Sequence, residues 1–298
     1  MIQPPFLKTG DKVAIVATAR KISKSELEIA IKILESWGLE VVFGKHLFEE
    51  NNQFSGTDEM RISDFQSMID DNSVQAIICS RGGYGTVRII DDLDFTTFKS
   101  APKWIVGYSD ITVLHAHIST NFGIQSIHGT MPINFETNTE QALISLKKAL
   151  FGVSFSYEVS AHKLNRNGTC EGEIIGGNLS ILYSLIGSPS DIDTERKILF
   201  IEDLDEYLYH IDRMMQNLKR TGKLSNLAGL IVGAMSDMND NVIPFGTTAE
   251  EIILETVAEY DYPVCFGFPV GHTEDNRALY INKKANLMVG SSVTFRYE

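Results

Sequence analysis

Ser109 is the residue of this chain whose surroundings best suit a nucleophile. The apolar run Trp104-Ile105-Val106 ends at Gly107, and an amphipathic pattern begins at once with Asp110. This order predicts a strand, a tight turn and a helix, which places Ser109 near the amino end of that helix. Unpaired backbone N–H groups and the helix dipole favour negative charge there, including the oxyanion that forms when a serine attacks a carbonyl. The stretch therefore has the layout of a nucleophile elbow.

A purely structural role of the same stretch stays open. The G-x-S-x-G pattern of nucleophile elbows is only half kept, because Gly107 is present but Ile111 replaces the second glycine. Ser109 or Asp110 could simply cap the helix, as serine and aspartate often do. The stretch by itself does not decide between a nucleophile and a cap.

A glycine-rich segment, Arg81-Gly-Gly-Tyr-Gly85, follows the apolar run at 75–79. Successive glycines let backbone N–H groups approach an anion closely, so the segment could bind a phosphate or contribute to an oxyanion hole. It matches neither G-x-G-x-x-G nor a Walker loop. A simple turn at the edge of a sheet is equally compatible with the pattern.

His272 and Glu202 are the candidate base and acid. Pro269-Val-Gly-His-Thr273 places His272 in a glycine-containing loop, and such loops often carry functional residues. Glu202 ends an otherwise apolar strand, where a carboxylate needs a partner such as an imidazole N–H. The order Ser109, Glu202, His272 is also the order used by α/β-hydrolases. Three unconnected residues remain compatible with this spacing.

The elements that must position these residues alternate along the first half of the chain. Strands are predicted at 12–17, 39–43 and 75–79 and directly before Ser109, with helices at 24–37 and 57–71 and another after the glycine-rich segment. Strands that alternate with helices predict a parallel sheet covered on both faces, which binds ligands at the carboxyl ends of its strands. Both the glycine-rich segment and Ser109 fall at that edge.

The chain changes character between residues 126 and 170, where we predict a domain boundary. The predicted units are a nucleophile-bearing domain at 1–130, a linker region at 131–168 with a helix at 138–150, and a second domain at 169–298. Predicted elements of the second domain are helices at 178–186, 207–221 and 247–258, strands at 197–201 and 227–232, and short strands at 263–266, 278–281, 286–289 and 292–297. The fold class is thus α/β, with a more β-rich carboxy-terminal end.

The composition of the chain indicates which classes of partner and which cellular compartment are compatible with it. The chain has 298 residues, 43% of them hydrophobic, and a formal net charge of −13 without a block of Lys and Arg, which argues against nucleic acid as a partner. No apolar run approaches the roughly 18 residues of a membrane span, and no secretory signal is visible. Three widely spaced cysteines, Cys79, Cys170 and Cys265, suggest buried thiols in a reducing cytoplasm.

Beyond these separate features, the chain resembles a known family over nearly its whole length: the serine L,D-carboxypeptidases, or muramoyltetrapeptide carboxypeptidases, together with the related microcin C self-immunity peptidases. Several independent motifs occur in the order of that family. They are Gly10-Asp-Lys-Val-Ala-Ile-Val16, Ser80-Arg-Gly-Gly-Tyr-Gly85, Gly107-Tyr-Ser-Asp-Ile-Thr112, His128-Gly129, Gly176-Gly-Asn-Leu179, Phe200-Ile-Glu-Asp203, Ile211-Asp-Arg-Met-Met215 and Gly267-Phe-Pro-Val-Gly-His272.

The resemblance implies a catalytic triad of Ser109, Glu202 and His272. It implies an oxyanion hole formed by the backbone amides of Gly83 and Asp110, and neither a metal ion nor an organic cofactor. The implied fold is a flavodoxin-like, parallel-sheet amino-terminal domain with a carboxy-terminal α/β domain that contains a mixed sheet. The implied assembly is a homodimer.

The resemblance also implies a substrate, the murein tetrapeptide, which loses its terminal D-alanine at an L,D bond during cytoplasmic peptidoglycan recycling. A carboxypeptidase must recognise a free carboxylate, and Arg81 and Arg213 are the candidates for this task. The stretch Thr273-Glu-Asp-Asn-Arg277 departs from the family pattern and leaves the preferred residue before D-alanine open. The alternatives are a microcin-immunity-type peptidase that acts on aminoacyl-nucleotide analogues, and a non-catalytic protein that binds a small ligand.

Overall fold

The apolar runs of the first half form the centre of a six-stranded sheet. A computed structural model describes all 298 residues of the chain. With strands numbered in chain order, the sheet contains, from edge to edge, Leu279–Ile281 (β11), Ser126–His128 (β5), Trp104–Gly107 (β4), Val74–Cys79 (β3), Lys12–Val16 (β1) and Glu40–Phe43 (β2). The five strands β1 to β5 are parallel, and β11 pairs antiparallel with β5.

Strand β1 shows how the sheet buries both of its faces. Val13 and Ile15 lie in one core together with Leu27 of the first helix. Ala14 and Val16 lie in another core together with Phe65 of the second helix. Because side chains alternate along a strand, an uninterrupted apolar run supplies both cores, as is typical of parallel strands.

The second sheet has seven strands and is mixed. From edge to edge it contains Val264–Phe266 (β10), Gly229–Ser236 (β9), Ile198–Leu204 (β8), Gly168–Asn178 (β7), Lys284–Val289 (β12), Ser292–Tyr297 (β13) and Ser156–Ser160 (β6). The pairs from β7 to β10 are parallel, and the remaining pairs are antiparallel. The predicted combination of a largely parallel sheet and a mixed sheet is therefore confirmed.

Eight α-helices accompany the two sheets. They are Lys24–Ser36 (α1), Asp58–Asp70 (α2), Thr96–Ser100 (α3), Thr112–Phe122 (α4), Glu140–Phe151 (α5), Leu179–Leu185 (α6), Leu208–Arg220 (α7) and Ala249–Thr256 (α8). Helix α1 begins with a capping box, in which the Ser23 and Glu26 side chains accept each other's backbone N–H groups. No helix is both long enough and apolar enough to cross a lipid bilayer.

Several contacts join the two sheets around the predicted nucleophile. One core of 42 buried residues contains Val16 of the first sheet, Ile111 beside the elbow and Leu199 of the second sheet. The backbone N–H of Asn178, at the end of β7, donates to Thr112 Oγ1 at 3.0 Å. Strand β11 belongs to the first sheet although it follows five strands of the second in the chain. The beginning of α4, next to the predicted nucleophile, is thus in contact with both sheets.

The prediction of a single helix after the glycine-rich segment is wrong. The segment between Gly85 and β4 instead contains two short 3-10 turns, Thr86–Arg88 and Ile90–Asp92, followed by the five-residue α3. Asp94 Oδ1 accepts the backbone N–H of Thr96 at 2.8 Å, a local side-chain bond that competes with helix continuation. The remaining predicted helices and strands are present, with ends shifted by a few residues.

The region predicted as a linker contains elements of both halves. Helix α5 contributes Leu146, Ala149 and Leu150 to the core of the first sheet. Strand β6, which the sequence did not predict, forms an edge of the second sheet. The three cysteines are free; Cys79 and Cys265 are buried as expected, and Cys170 is half-buried.

Candidate active site

Ser109 occupies a strained turn between β4 and α4. Its φ angle is +62°, in the left-handed region that a serine rarely adopts, and the first turn after it is the 3-10 segment Ser109–Ile111. Such strain persists only where the surroundings enforce it, and it is concentrated at functional sites. No side chain caps either the 3-10 segment or α4. The capping alternative is therefore wrong, and the strand, turn and helix predicted around Ser109 are present.

The three residues predicted to form a triad are joined in one hydrogen-bonded chain. His272 Nε2 lies 3.1 Å from Ser109 Oγ, and His272 Nδ1 lies 2.6 Å from Glu202 Oε2. An ionised carboxylate can only accept, so Nδ1 of His272 carries the proton and Nε2 accepts the Ser109 hydroxyl proton. This is the tautomer in which an imidazole can act as a base toward serine.

Glu202 is fully buried in β8, and its charge is directed at His272. Its Oε2 bonds the imidazole, while its Oε1 has no hydrogen-bond partner. Burial alone would lower the pKa of His272, but the charge and hydrogen bond of Glu202 outweigh it and raise that pKa above its ordinary value. The pair therefore favours the protonated imidazole that forms when a serine is deprotonated.

Gly271 lets the His272 loop approach Glu202 closely. Its φ angle is +103°, and a Cβ atom at this position would lie 2.6 Å from Glu202 Cβ and 2.7 Å from Glu202 Oε2. Both the conformation and the contact require the absence of a side chain. The glycine directly before the histidine thus belongs to the geometry of the site.

A second histidine, His128 at the end of β5, anchors the same loop. Asn276 Oδ1 lies 3.2 Å from His128 Nε2 and accepts the backbone N–H of Gly271 at 2.9 Å. His128 is fully buried, and this burial lowers its pKa to about 3, so the ring is neutral. The loop that carries His272 is therefore tied to the sheet that carries Ser109. Sequence reasoning missed Asn276, because only burial distinguishes it from a surface asparagine.

His115 forms a hydrogen bond with the backbone just before Ser109. It is fully buried, which lowers its pKa to about 4. Its Nε2 lies 2.9 Å from the carbonyl oxygen of Gly107, and its Nδ1 lies 2.8 Å from Ser126 Oγ. A carbonyl only accepts, so Nε2 carries the proton. His115 is thus occupied by the backbone next to the nucleophile and is not available as a base.

The glycine-rich segment lies directly against the elbow. A Cβ atom at Gly82 would lie 3.2 Å from Ser109 Oγ and 3.4 Å from the backbone nitrogen of Asp110. The Asp110 side chain is buried and accepts the backbone N–H of Thr86 at 2.9 Å, which ties the two segments together. The glycine-rich segment therefore packs against Ser109 at Gly82, next to the backbone nitrogen of Asp110.

An open cleft of about 490 Å³ exposes Ser109 and His272. Arg20 and Arg81 line it, as do the acidic residues Asp205 and Glu206. Arg213 does not line it, since this residue lies exposed on α7 with its guanidinium 5.2 Å from the Tyr209 ring centre. Of the two arginines selected from the sequence, the structure brings only Arg81 to the cleft.

Arg20 is the cleft residue that sequence reasoning missed. It follows β1, at the same carboxyl edge of the parallel sheet as the glycine-rich segment and Ser109. Because ligands of such sheets bind at this edge, every cation directly after a predicted strand is a candidate. The position of Arg20 shortly after a predicted strand is therefore the sequence signal that could have identified it.

Comparison with known proteins places the chain in a family. The model of the LD-carboxypeptidase N-terminal domain matches residues 13–129, and that of the LD-carboxypeptidase C-terminal domain matches residues 171–287. A relative from Bacillus subtilis (strain 168), named "Probable murein peptide carboxypeptidase", is 36% identical, and the alignment covers 95% of this chain and 90% of the relative.

Solved structures of other proteins share this fold. The crystal structure of muramoyltetrapeptide carboxypeptidase from Oxalobacter formigenes superposes with a TM-score of 0.88 at 28% identity, covering 96% of this chain and 98% of that one. Microcin C7 self immunity protein MccF, in complex with aspartyl sulfamoyl adenosine, has the same fold, with a TM-score of 0.88 at 22% identity and coverage of 99% and 98%. This chain belongs to the LD-carboxypeptidase family.

Proposed function

We propose that the chain is a serine-type carboxypeptidase that removes the terminal D-alanine from murein tetrapeptide by cleaving the preceding L,D bond. The observation that supports this most directly is the hydrogen-bonded chain from Ser109 through His272 to the buried Glu202 at the floor of an open cleft. The substrate follows from the names of the Bacillus and Oxalobacter proteins, which refer to murein peptide and muramoyltetrapeptide.

In the acylation step Ser109 Oγ forms a bond to the carbonyl carbon before D-alanine, and the hydroxyl proton moves to His272 Nε2. The backbone N–H groups of Gly83 and Asp110 hold the oxyanion, and Glu202 stabilises the imidazolium. The C–N bond then breaks, and His272 returns the proton to the leaving amine. D-Alanine departs, and the acyl group stays on Ser109 as an ester.

In the deacylation step water hydrolyses this ester. His272, neutral again, takes a proton from the water molecule as its oxygen attacks the ester carbonyl. The same two N–H groups hold the second oxyanion, and the proton passes to Ser109 Oγ as the tripeptide leaves. The cleft is open at Ser109 and His272, which allows water to approach the ester.

Activity toward aminoacyl nucleotides is the alternative that must be compared directly. An adenine base is commonly held by stacking on an aromatic ring. Neither tryptophan offers such a platform in the cleft: Trp104 is fully buried beside Phe6 and Tyr280, and Trp37 packs against Phe135. Tyr108 does line the cleft, but its ring is buried against the His272 imidazole, with the ring centroids 4.9 Å apart, so we favour the peptide substrate.

The proposal includes a cellular setting and an assembly. The enzyme acts in the cytoplasm as a homodimer, with domains at 1–130 and 169–298 connected by residues 131–168. Its three free cysteines suit a reducing compartment. Sedimentation velocity of the purified chain tests the dimer, and a single species of monomer mass at micromolar concentration would contradict it.

Hydrolysis of defined muropeptides tests the activity itself. The expected result is release of D-alanine from tetrapeptide, none from pentapeptide or from a tetrapeptide that ends in L-alanine, and little cleavage of an aminoacyl sulfamoyl adenosine. A higher kcat/KM for the nucleotide analogue would refute the recycling assignment while leaving the triad intact. Binding of tetrapeptide without any hydrolysis would instead indicate a non-catalytic ligand-binding protein.

A further inference from the structure

Arg20 lies against the segment that would hold the oxyanion. A Cβ atom at Gly83 would lie 2.6 Å from Arg20 Cδ and 2.7 Å from Arg20 Nε. Gly83 has a φ angle of +117°, so this position is reserved for glycine both by its conformation and by the arginine that crosses it. The Arg20 side chain therefore lies beside Gly83 at the wall of the cleft.

Arg20 is also a cation without an ionic partner inside the protein. The basic residues nearest to it in sequence and in the cleft are both occupied: Lys21 pairs with Glu50, and Arg81 lies 3.8 Å from Glu26 and donates to the Lys21 carbonyl. Arg20 takes part in no salt bridge and no side-chain hydrogen bond, although it is exposed in the cleft. Its five N–H donors are thus free for a ligand.

The acidic residues of the cleft do not neutralise Arg20. Asp205 accepts a hydrogen bond from Asn239 Nδ2 at 2.8 Å, and Glu206 bonds His210 Nδ1. Each carboxylate therefore has a partner other than Arg20. A carboxylate brought by a ligand would be the partner that Arg20 lacks, and the planar guanidinium can bind it in a bidentate manner.

The position of Arg20 defines which carboxylate it can reach. Since consecutive residues repeat about every 3.8 Å along a chain, the carboxylate of a single leaving residue lies about 4 Å beyond the scissile carbonyl carbon. In the proposed mechanism the scissile carbonyl oxygen lies at the Gly83 N–H, and the Arg20 side chain lies against Gly83, so its guanidinium is placed to meet the carboxylate of a single leaving residue. A second residue after the scissile bond would place its carboxylate about 4 Å farther from that bond.

We propose that Arg20 binds the free carboxylate of the residue that leaves, and that it thereby restricts cleavage to the last peptide bond. The assignment rests on the proposed carboxypeptidase activity and identifies how that activity recognises a chain end. It replaces Arg213, which lies outside the cleft, and gives Arg81 a supporting role, because that side chain already forms an ion pair with Glu26 and donates to the Lys21 carbonyl.

A comparison of two substrates isolates this contact. Wild-type protein, Arg20→Gln, Arg20→Lys and Arg81→Gln are assayed with a tetrapeptide that ends in D-alanine and with the same peptide ending in D-alanine amide. The amide keeps the scissile bond and every other carboxylate of the peptide, and it removes only the terminal charge. Lys21→Gln, whose side chain pairs with Glu50, is the matched control for loss of one positive charge nearby.

Arg20→Gln should lower kcat/KM for the free acid about 10- to 100-fold and change that for the amide by less than about threefold, as expected for a charge-assisted hydrogen bond. Arg20→Lys should recover part of the preference, because it restores the charge without the bidentate geometry. Lys21→Gln should behave as wild type.

An Arg20→Gln variant that keeps the wild-type ratio of acid to amide would overturn the assignment, as would a loss of the preference in Arg81→Gln alone. Equal losses for both substrates would show a structural effect and equally refute it. These outcomes differ from failure of the proposed function, in which wild-type protein cleaves neither peptide.

Discussion

The carboxylates of Glu202 and Asp203 are adjacent in β8 but bind entirely different partners. Glu202 accepts a hydrogen bond from His272 Nδ1 at 2.6 Å. Asp203 accepts from Asn178 Nδ2 at 2.8 Å and from the backbone N–H of Ser180 at 2.9 Å, at the beginning of α6. Because successive side chains of a strand alternate in direction, one carboxylate faces the site and the other fastens a helix.

Glu202→Gln should therefore impair catalysis, and Asp203→Asn should impair stability. An amide can hold the imidazole but cannot stabilise its charge, so we expect kcat to fall about 10²- to 10⁴-fold in Glu202→Gln. Asp203→Asn should keep kcat within about tenfold and lower the free energy of unfolding by about 1–3 kcal/mol through lost hydrogen bonds. Steady-state kinetics and urea unfolding measure both quantities, and the reverse pattern would mean that Asp203 is the acid.

Ser109→Ala should keep the fold and lower kcat by several orders of magnitude, because nucleophile and base act as one unit. A serine-directed fluorophosphonate should add one label to wild-type protein and none to the variant, as read by intact mass. A variant that retains more than about a tenth of the wild-type rate would remove Ser109 from the mechanism.

The rate should rise with pH through a pKa above the ordinary histidine value of 6.5. Only neutral His272 can accept the serine proton, and Glu202 raises the pKa of His272 despite its burial, so the acid limb of kcat/KM moves to higher pH. In Glu202→Gln burial remains while the negative charge is gone, so the limb should move to lower pH. A rate independent of pH between about 5 and 8 would contradict the role of His272.

Gly271→Ala should lower activity in addition to the loss of stability that its positive φ angle causes. Gly187 is the matched control, because its φ angle of +82° is also positive but no atom lies within 4 Å of an added Cβ. We expect Gly187→Ala to cost about 1–2 kcal/mol of stability at full activity. Gly271→Ala adds a clash with Glu202 and should also lower kcat by about tenfold or more. Equal activity of the two variants would argue against the contact.

Asn276→Ala should lower kcat with little change in KM, because Asn276 orients the His272 loop and does not line the cleft. Asn165→Ala is the control, since Asn165 Oδ1 likewise accepts a backbone N–H, that of Phe266 at 2.8 Å, but at β10. We expect about a tenfold loss of kcat in Asn276→Ala only. A rise in KM at unchanged kcat would place Asn276 in substrate binding instead.

The sequence by itself determined the local features of this protein. Apolar runs of four to eight residues predict strands, glycines end helices, and the order of strand, glycine and amphipathic pattern predicts the elbow of Ser109, because all of these depend on neighbours in the chain. The parallel first sheet followed from the alternation of strands and helices. The candidates Glu202 and His272 followed from their strand and loop positions, without any measure of their distance.

Only the tertiary structure decided which of these residues meet. Glu202 and His272 are separated by 70 positions and His272 and Ser109 by 163, and their hydrogen bonds depend on β8, the loop after β10 and the elbow converging between two sheets. The exclusion of Arg213 from the cleft and the inclusion of Arg20 depend equally on packing. Spacing along a chain does not encode distances that arise when separate strands pack together, so these contacts could be read only from the folded molecule.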